Sequence, residues 1–155
     1  MTDERHEFVS FLTDYGHADE FVGVCHSIML RLAPHLRIVD ITHDVRPFDV
    51  RDGSLALARA VPYLPEGIIV ACVDPGAGTD RRLVAVGVAG GAGVFIGPDN
   101  GLLATGVALA GGADSAFVLD RDEHHLASPG RTFAARDVLA PVAAALCGGT
   151  ALNEL

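Results

Sequence analysis

Short, unbroken apolar runs recur along this chain, each followed by a segment whose apolar residues are spaced as on a helix. That alternation limits what the chain can fold into. The run from Glu7 to Leu12 (EFVSFL), the one from Arg37 to Thr42 (RIVDIT) and the one from Gly67 to Val73 (GIIVACV) read as strands. The last is rich in β-branched residues, and none alternates apolar with polar as a half-exposed strand would. Between them, Asp19 to Pro34 carries Phe21, Val24, Ile28 and Leu32 at helical spacing, and Asp49 to Val61 gives a second helix. Strands buried on both faces and separated by helices form a largely parallel sheet with helices on either side. The expected fold is therefore a layered α/β domain.

Two further runs, RLVAVGV and GVFIG, are joined by a glycine-rich turn and predict a hairpin added to that sheet. After them NGLLATGVALAGG suits a helix, SAFVL a strand, and ARDVLAPVAAALCGG a last helix stopped by glycine. At 155 residues, with no repeat or linker, residues 1–155 form one domain.

Charge and cysteine content narrow the function classes. The formal charge is −9 and the 11 basic residues are scattered, so no basic stripe for nucleic acid exists. Cys25, Cys72 and Cys147 are far apart and apolar in context, as buried thiols in a reducing compartment are. The polar start MTDERHEF lacks the apolar core of a signal peptide, and no apolar run has membrane-spanning length. A soluble cytoplasmic protein with no membrane partner is expected.

In such a sheet, ligands collect beyond the carboxyl ends of the strands. Asp14, in TDYG after the first strand, can accept two hydrogen bonds from a vicinal diol, or it can close an Asx-turn or cap a helix. Asp99-Asn100-Gly101 is explained by turn and cap chemistry alone. In VDPGAGTDRR, Asp74 leaves a strand, Pro75, Gly76 and Gly78 force a tight loop, and Arg81 can return to pair with Asp74. That pair serves structure or chemistry equally well; no P-loop or dinucleotide fingerprint is present. His43 can act as a base or be solvated or structural, and His124-His125 sits in an acidic loop that reads as solvated surface. The histidines show no ligand spacing, so no metal is expected.

Taken in order, the segments FLTDYG, FVGV, IVDITHDVRPFDV, VDPGAGTDRR, IGPDNGLL and TFAARDVLAPVAAAL resemble the S-adenosylmethionine hydroxide adenosyltransferases, relatives of the fluorinating and chlorinating enzymes. The resemblance covers nearly the whole chain and is to that family's N-terminal α/β domain; the β-rich C-terminal domain of the family is absent from these residues, so a truncated or partial chain is expected. It implies hydrolysis of S-adenosylmethionine to adenosine and methionine by displacement at the ribose 5′ carbon. S-adenosylmethionine is then a substrate, with no cofactor, and the assembly is a homotrimer whose sites lie between one subunit's N-domain and a neighbour's C-domain.

Position by position, the resemblance gives Asp14 to the ribose hydroxyls and sets Phe48 against the nucleoside. Asp74 and Arg81 become two of three residues of an Asp-Arg-His set, and Pro75, Gly76, Thr132 and Phe133 line the pocket. Asp74 stands where the halogenating relatives have Tyr, and the fluorinating enzyme's insertion is missing, so the hydroxide branch is the nearer. The departure is in RTFAARD, where those hydrolases read T-F-H-G-R-D. Ala134 replaces the His and Ala135 the Gly, the latter at the position of the fluorinating enzyme's halide-binding Ser. The resemblance thus admits three outcomes: a slowed hydrolase, a non-catalytic nucleoside-binding or assembly module, or transfer to another small nucleophile such as a halide.

Overall fold

The computed structural model describes residues 5–128, 130 and 132–155; Arg131, the first residue of RTFAARD, lies outside them. Six strands form one sheet in the order β2-β1-β3-β5-β4-β6. They are β1 (Phe8–Thr13), β2 (Arg37–Thr42), β3 (Ile68–Cys72), β4 (Leu83–Val88), β5 (Gly93–Pro98) and β6 (Ala113–Val118). Strands β2, β1, β3 and β5 run parallel, while β4 is antiparallel to both β5 and β6. The β4–β5 hairpin is the one expected from the two apolar runs and their glycine turn.

Four α-helices cover the sheet: α1 (Phe21–Leu32), α2 (Val50–Ala60), α3 (Ala104–Leu109) and α4 (Ala140–Cys147). One core joins α1 and α4 to the sheet through Val9, Phe11, Met29, Ile68, Val70, Ile96 and Leu139. A second, on the opposite face, joins α2 and α3 through Leu12, Leu57, Ile69, Phe95 and Leu102. Alternate residues of β1 and β3 thus enter opposite cores, which is why both strands read as continuous apolar runs. Each fully buried Phe, Leu or Ile contributes about 1.5–3 kcal/mol.

The helices begin and end for local reasons. Asp49 caps α2 by accepting the Asp52 N–H at 2.9 Å. Helix α1 starts two residues later than its acidic lead predicts, at Phe21, with no side-chain cap. Helix α3 is much shorter than NGLLATGVALAGG suggests: it starts only after Gly101 and ends before Gly111 and Gly112, all three at positive φ. Gly97 instead permits close strand packing. A Cβ there would lie 2.5 Å from the Ala71 carbonyl oxygen, forcing β3 and β5 apart.

The final helix does not start as a regular one. Ala135–Leu139 forms a π-helical turn that leads into α4, a distortion often found beside functional sites. Pro141 has no N–H to offer the Asp137 carbonyl four residues earlier. Leu126 N–H takes that carbonyl at 2.8 Å instead, tying the loop after β6 to the helix. Among the described residues no helix is long and apolar enough to cross a membrane.

Candidate active site

The parallel strands β1 and β3 end side by side, with Thr13 opposite Cys72. The chain that leaves each of them carries the residues singled out above. Their carboxylates are arranged in different ways.

Asp14 neither caps a helix nor closes an Asx-turn. Its Oδ2 accepts the backbone N–H of Phe48 at 2.7 Å, across 34 residues of sequence. Phe48 has φ of +64°, a conformation non-glycine residues rarely adopt. The Asp14 bond holds that strained turn and leaves the phenyl ring 67% exposed at the pocket mouth. Backbone strain of this kind costs about 1–3 kcal/mol and collects where a ligand is clamped. Partial burial raises the Asp14 pKa above its ordinary value, and the Phe48 N–H opposes that rise.

Asp74 and Arg81 form the pair expected from the loop. Arg81 Nε donates to Asp74 Oδ2 at 2.8 Å, and Nη2 lies 2.7 Å from the same oxygen. The loop is closed by Ala77 N–H on the Asp74 carbonyl at 3.2 Å and by the Thr79 hydroxyl on the Gly76 carbonyl at 2.5 Å. Gly76 leaves room for the arginine stem, since a Cβ there would meet Arg81 Cγ at 3.1 Å. Asn100 fixes the strand end by donating to the Val73 carbonyl at 2.9 Å, so the PDNG turn supports the site from outside it.

The pairing is incomplete. With side chains only 5% and 17% exposed, Asp74 Oδ1 is buried with no partner, and Arg81 Nη2 lacks a hydrogen-bonding angle to any acceptor. An open acceptor and an open donor therefore sit on one ion pair. A water molecule needs two to four such polar partners to be held in place.

Two cavities flank this pair. The smaller, of about 280 Å³, is lined by Asp14, Tyr15, Phe48, Asp74, Pro75 and Thr132, with Cys72, Ala77 and Ala134 completing it. The larger, of about 780 Å³, includes Arg81, His125, Phe133, Ala134 and Asp137. Among the described residues, Ala134 is the one common to both linings.

Most of the expected residues thus meet at the smaller cavity. Gly76 is not in its lining and acts through the loop. Phe133 faces the larger cavity, with its ring 4.3 Å from Phe21 and 5.5 Å from Tyr15 and the Arg136 guanidinium 4.9 Å above it. Phe133 therefore anchors the turn to α1. Ala134 and Ala135 are both buried.

Tyr15, Cys72 and Ala77 were missed by sequence reasoning. Tyr15 is the third residue of the TDYG turn, and its hydroxyl lies 3.4 Å from Cys72 Sγ. Burial raises the Tyr15 pKa and pushes the Cys72 thiol up to about 12, so both are neutral at pH 7. The smaller cavity thus combines one carboxylate at its mouth, one at its wall, and apolar or neutral groups between them.

The histidines correct one expectation. His26, Asp40 and His43 present ligand-type atoms within 4.8 Å of one another, although their sequence spacing shows nothing. Helix α1 crosses back over the sheet and brings His26 to Asp40 on β2. Asp40 Oδ1 accepts from His43 Nε2 at 2.7 Å and from His26 Nε2 at 2.9 Å, and His43 Nδ1 lies 2.7 Å from the Thr13 hydroxyl. His43 is fully buried rather than solvated, and burial lowers its pKa despite Asp40. It braces the end of β1 one residue before Asp14.

Comparison with known proteins identifies the family and the fold. Residues 9–155 match the family model described as the S-adenosylmethionine hydroxide adenosyltransferase N-terminal domain. An (R)-S-adenosyl-L-methionine hydrolase from Salinispora arenicola is 50% identical over 147 residues, spanning 95% of this chain and 56% of that protein. A fluorinase from an Actinoplanes species is 30% identical over 169 residues, with 95% and 56% covered. The crystal structure of an uncharacterized conserved protein from Thermotoga maritima superposes with a TM-score of 0.88 at 35% identity, over 94% of this chain and 56% of that one. The chain thus spans little more than half the length of the relatives it matches. It belongs to the S-adenosylmethionine hydroxide adenosyltransferase family.

Proposed function

We propose that this chain binds the adenosyl part of S-adenosylmethionine in the smaller cavity and directs water to the ribose 5′ carbon, giving adenosine and methionine. The observation that carries this reading is the buried Asp74–Arg81 pair. Asp74 Oδ1 is an unpaired acceptor and Arg81 Nη2 an unpaired donor on one buried ion pair, and in this reading the two hold one water.

In this reading Asp14 receives the ribose hydroxyls and Phe48 lies against the base. Tyr15, Cys72 and Pro75 keep the wall free of charge. Water attacks the 5′ carbon as the carbon–sulfur bond breaks, and the bonding pair leaves with sulfur as a neutral thioether. No general acid is required, because the leaving group starts as a sulfonium cation. The protein mainly aligns the water and excludes bulk solvent. Phe48 is two-thirds exposed, so the reading includes a covering element from the family's second domain, supplied within a trimer. Residues 1–155 are its N-terminal α/β domain.

A second reading, binding without turnover, is favoured by Ala134, which leaves the water seat short of the third group that the resemblance places there. Incubation with S-adenosylmethionine and chromatography for adenosine separates the two. Adenosine from the wild type and none from Asp74→Asn supports hydrolysis. Adenosine binding by calorimetry with no product from the wild type or from Ala134→His supports the module. Neither binding nor product would remove both.

A further inference from the structure

His26, Asp40 and His43 come from three places in the fold: helix α1, strand β2 and the loop that follows β2. Among the described residues they are the one group of three His, Cys, Asp or Glu side chains whose ligand atoms lie within 4.8 Å of one another. None of the three lines either cavity described above. Both imidazoles present the same nitrogen, Nε2, to a single oxygen, Asp40 Oδ1, at 2.9 and 2.7 Å. Two imidazole nitrogens and a carboxylate oxygen converging in this way are a donor set for a borderline divalent cation such as zinc.

The surroundings hold these donors as metal ligands are held. Phe11, 1% exposed, lies against both rings, its centroid 4.9 Å from that of His43 and 6.1 Å from that of His26, and gives the group an apolar wall. His43 Nδ1 is 2.7 Å from the Thr13 hydroxyl. That hydroxyl can donate to Nδ1, which goes with the bond from Nε2 to Asp40, or accept from it. Accepting puts the imidazole proton on Nδ1 and frees the Nε2 lone pair for a cation, the outer hydrogen bond that ligating histidines usually make. His26 and Asp40 are 27% and 38% exposed, so the group opens to solvent on the side of its carboxylate. Tetrahedral zinc, with bonds of about 2.0–2.1 Å, keeps neighbouring ligand atoms about 3.3 Å apart. Withdrawal of the Asp40 carboxylate by about 0.5 Å from each nitrogen reaches that spacing.

We propose that His26 Nε2, His43 Nε2 and Asp40 Oδ1 bind one zinc-class divalent cation, with solvent completing its shell. In the metal-free protein the two N–H···O bonds to Asp40 stand in for it. The site is structural and takes no part in the hydrolytic reading above. His43 touches Thr13 on one side of Asp14, and its carbonyl accepts the Gly16 N–H at 2.7 Å on the other. The cation thus ties α1 and β2 to both ends of the turn that carries Asp14.

The test strips the protein of metal with a chelator and titrates it with zinc chloride by calorimetry, using cobalt(II) as a coloured substitute. Wild type should take up one equivalent of zinc, and its thermal midpoint should rise with zinc concentration. Cobalt should give the intense visible absorption of a four-coordinate site. His26→Ala and Asp40→Asn, shown to be folded by circular dichroism, should weaken zinc binding by at least about 10- to 100-fold, since even an outer partner of a metal ligand is worth that much. His124→Ala, which removes an imidazole outside the group, should leave binding unchanged. No zinc uptake and no midpoint rise in wild type overturns the proposal. So does uptake that survives in both folded variants, which marks adventitious binding elsewhere on the surface. Should both variants unfold, the wild-type cobalt spectrum decides, and the pale spectrum of the hydrated ion overturns the proposal.

Discussion

The two carboxylates at the strand ends, Asp14 and Asp74, are both oriented by their neighbours, but by different means. Asp14 is held by a backbone N–H from a strained turn and faces an open mouth. Asp74 is held by a guanidinium and keeps one oxygen buried and unpaired. The first arrangement suits a neutral diol, which needs an acceptor and little else. The second suits a reacting water, which needs a donor and an acceptor in a place shielded from solvent. The binding side retains each residue the resemblance implies for the nucleoside. On the Asp74–Arg81 side, Ala134 stands where the resemblance implies a histidine.

Breaking the water side should have the largest effect. Arg81→Ala leaves Asp74 buried without its counter-charge, which typically costs about 3–5 kcal/mol. Its urea midpoint should drop accordingly, and adenosine formation should disappear. An unchanged midpoint would show that Asp74 is not buried as described. Next comes Asp14→Ala, which removes a charged acceptor worth about 1.5–3 kcal/mol per hydrogen bond. Calorimetry should show adenosine binding weakened roughly 10- to 100-fold, and the thermal midpoint should fall, by less than in Arg81→Ala, because the Phe48 N–H loses its acceptor.

Phe48→Gly separates the two roles of the strained turn. Glycine accepts φ of +64° without a Cβ clash, so stability should rise by up to about 1 kcal/mol. Adenosine affinity should fall because the ring is gone. Affinity and stability falling together would mean that the phenyl group is a packing residue.

The smallest effect is a pH dependence at the brace behind Asp14. Burial lowers the His43 pKa below its ordinary 6.5, with Asp40 opposing and His17 and His26 reinforcing. A lowered histidine contributes stability that is fully present above 6.5 and is lost as pH falls through the folded-state value. The thermal midpoint of the wild type should therefore decline as pH is lowered from about 7.5 toward about 5, and more steeply than that of His43→Gln. Equal slopes would remove His43 as the cause.

Much of this is legible in the chain itself. The apolar runs mark β1 and β3, which are buried on both faces, and the β4–β5 hairpin; β2 reads as buried likewise, but it and β6 are edge strands with no fully buried residue. The Asp74–Arg81 pair is legible because Pro75, Gly76 and Gly78 leave the loop few paths except back to the strand end. What cannot be read depends on contacts distant in sequence. The positive φ of Phe48 is imposed by Asp14, 34 residues away. The His26–Asp40–His43 group exists only because α1 crosses β1 and β2. His125 reads as solvated because its acidic neighbours are, yet the missing N–H of Pro141 draws its loop onto the helix. The resemblance assigns Phe133 to the adenosine pocket, but α1 offers Phe21 as the better partner for its ring.

In the proposed mechanism the Asp74–Arg81 pair holds the water that attacks the ribose 5′ carbon. Incubating the protein with S-adenosylmethionine in heavy-oxygen water, then analysing adenosine by mass spectrometry, tests it most directly. The expected result is adenosine labelled at its 5′ oxygen from wild type, matched by an equal amount of unlabelled methionine, and neither product from Asp74→Asn. Adenosine formed as fast by Asp74→Asn as by wild type, or wild-type adenosine without the label, would contradict it.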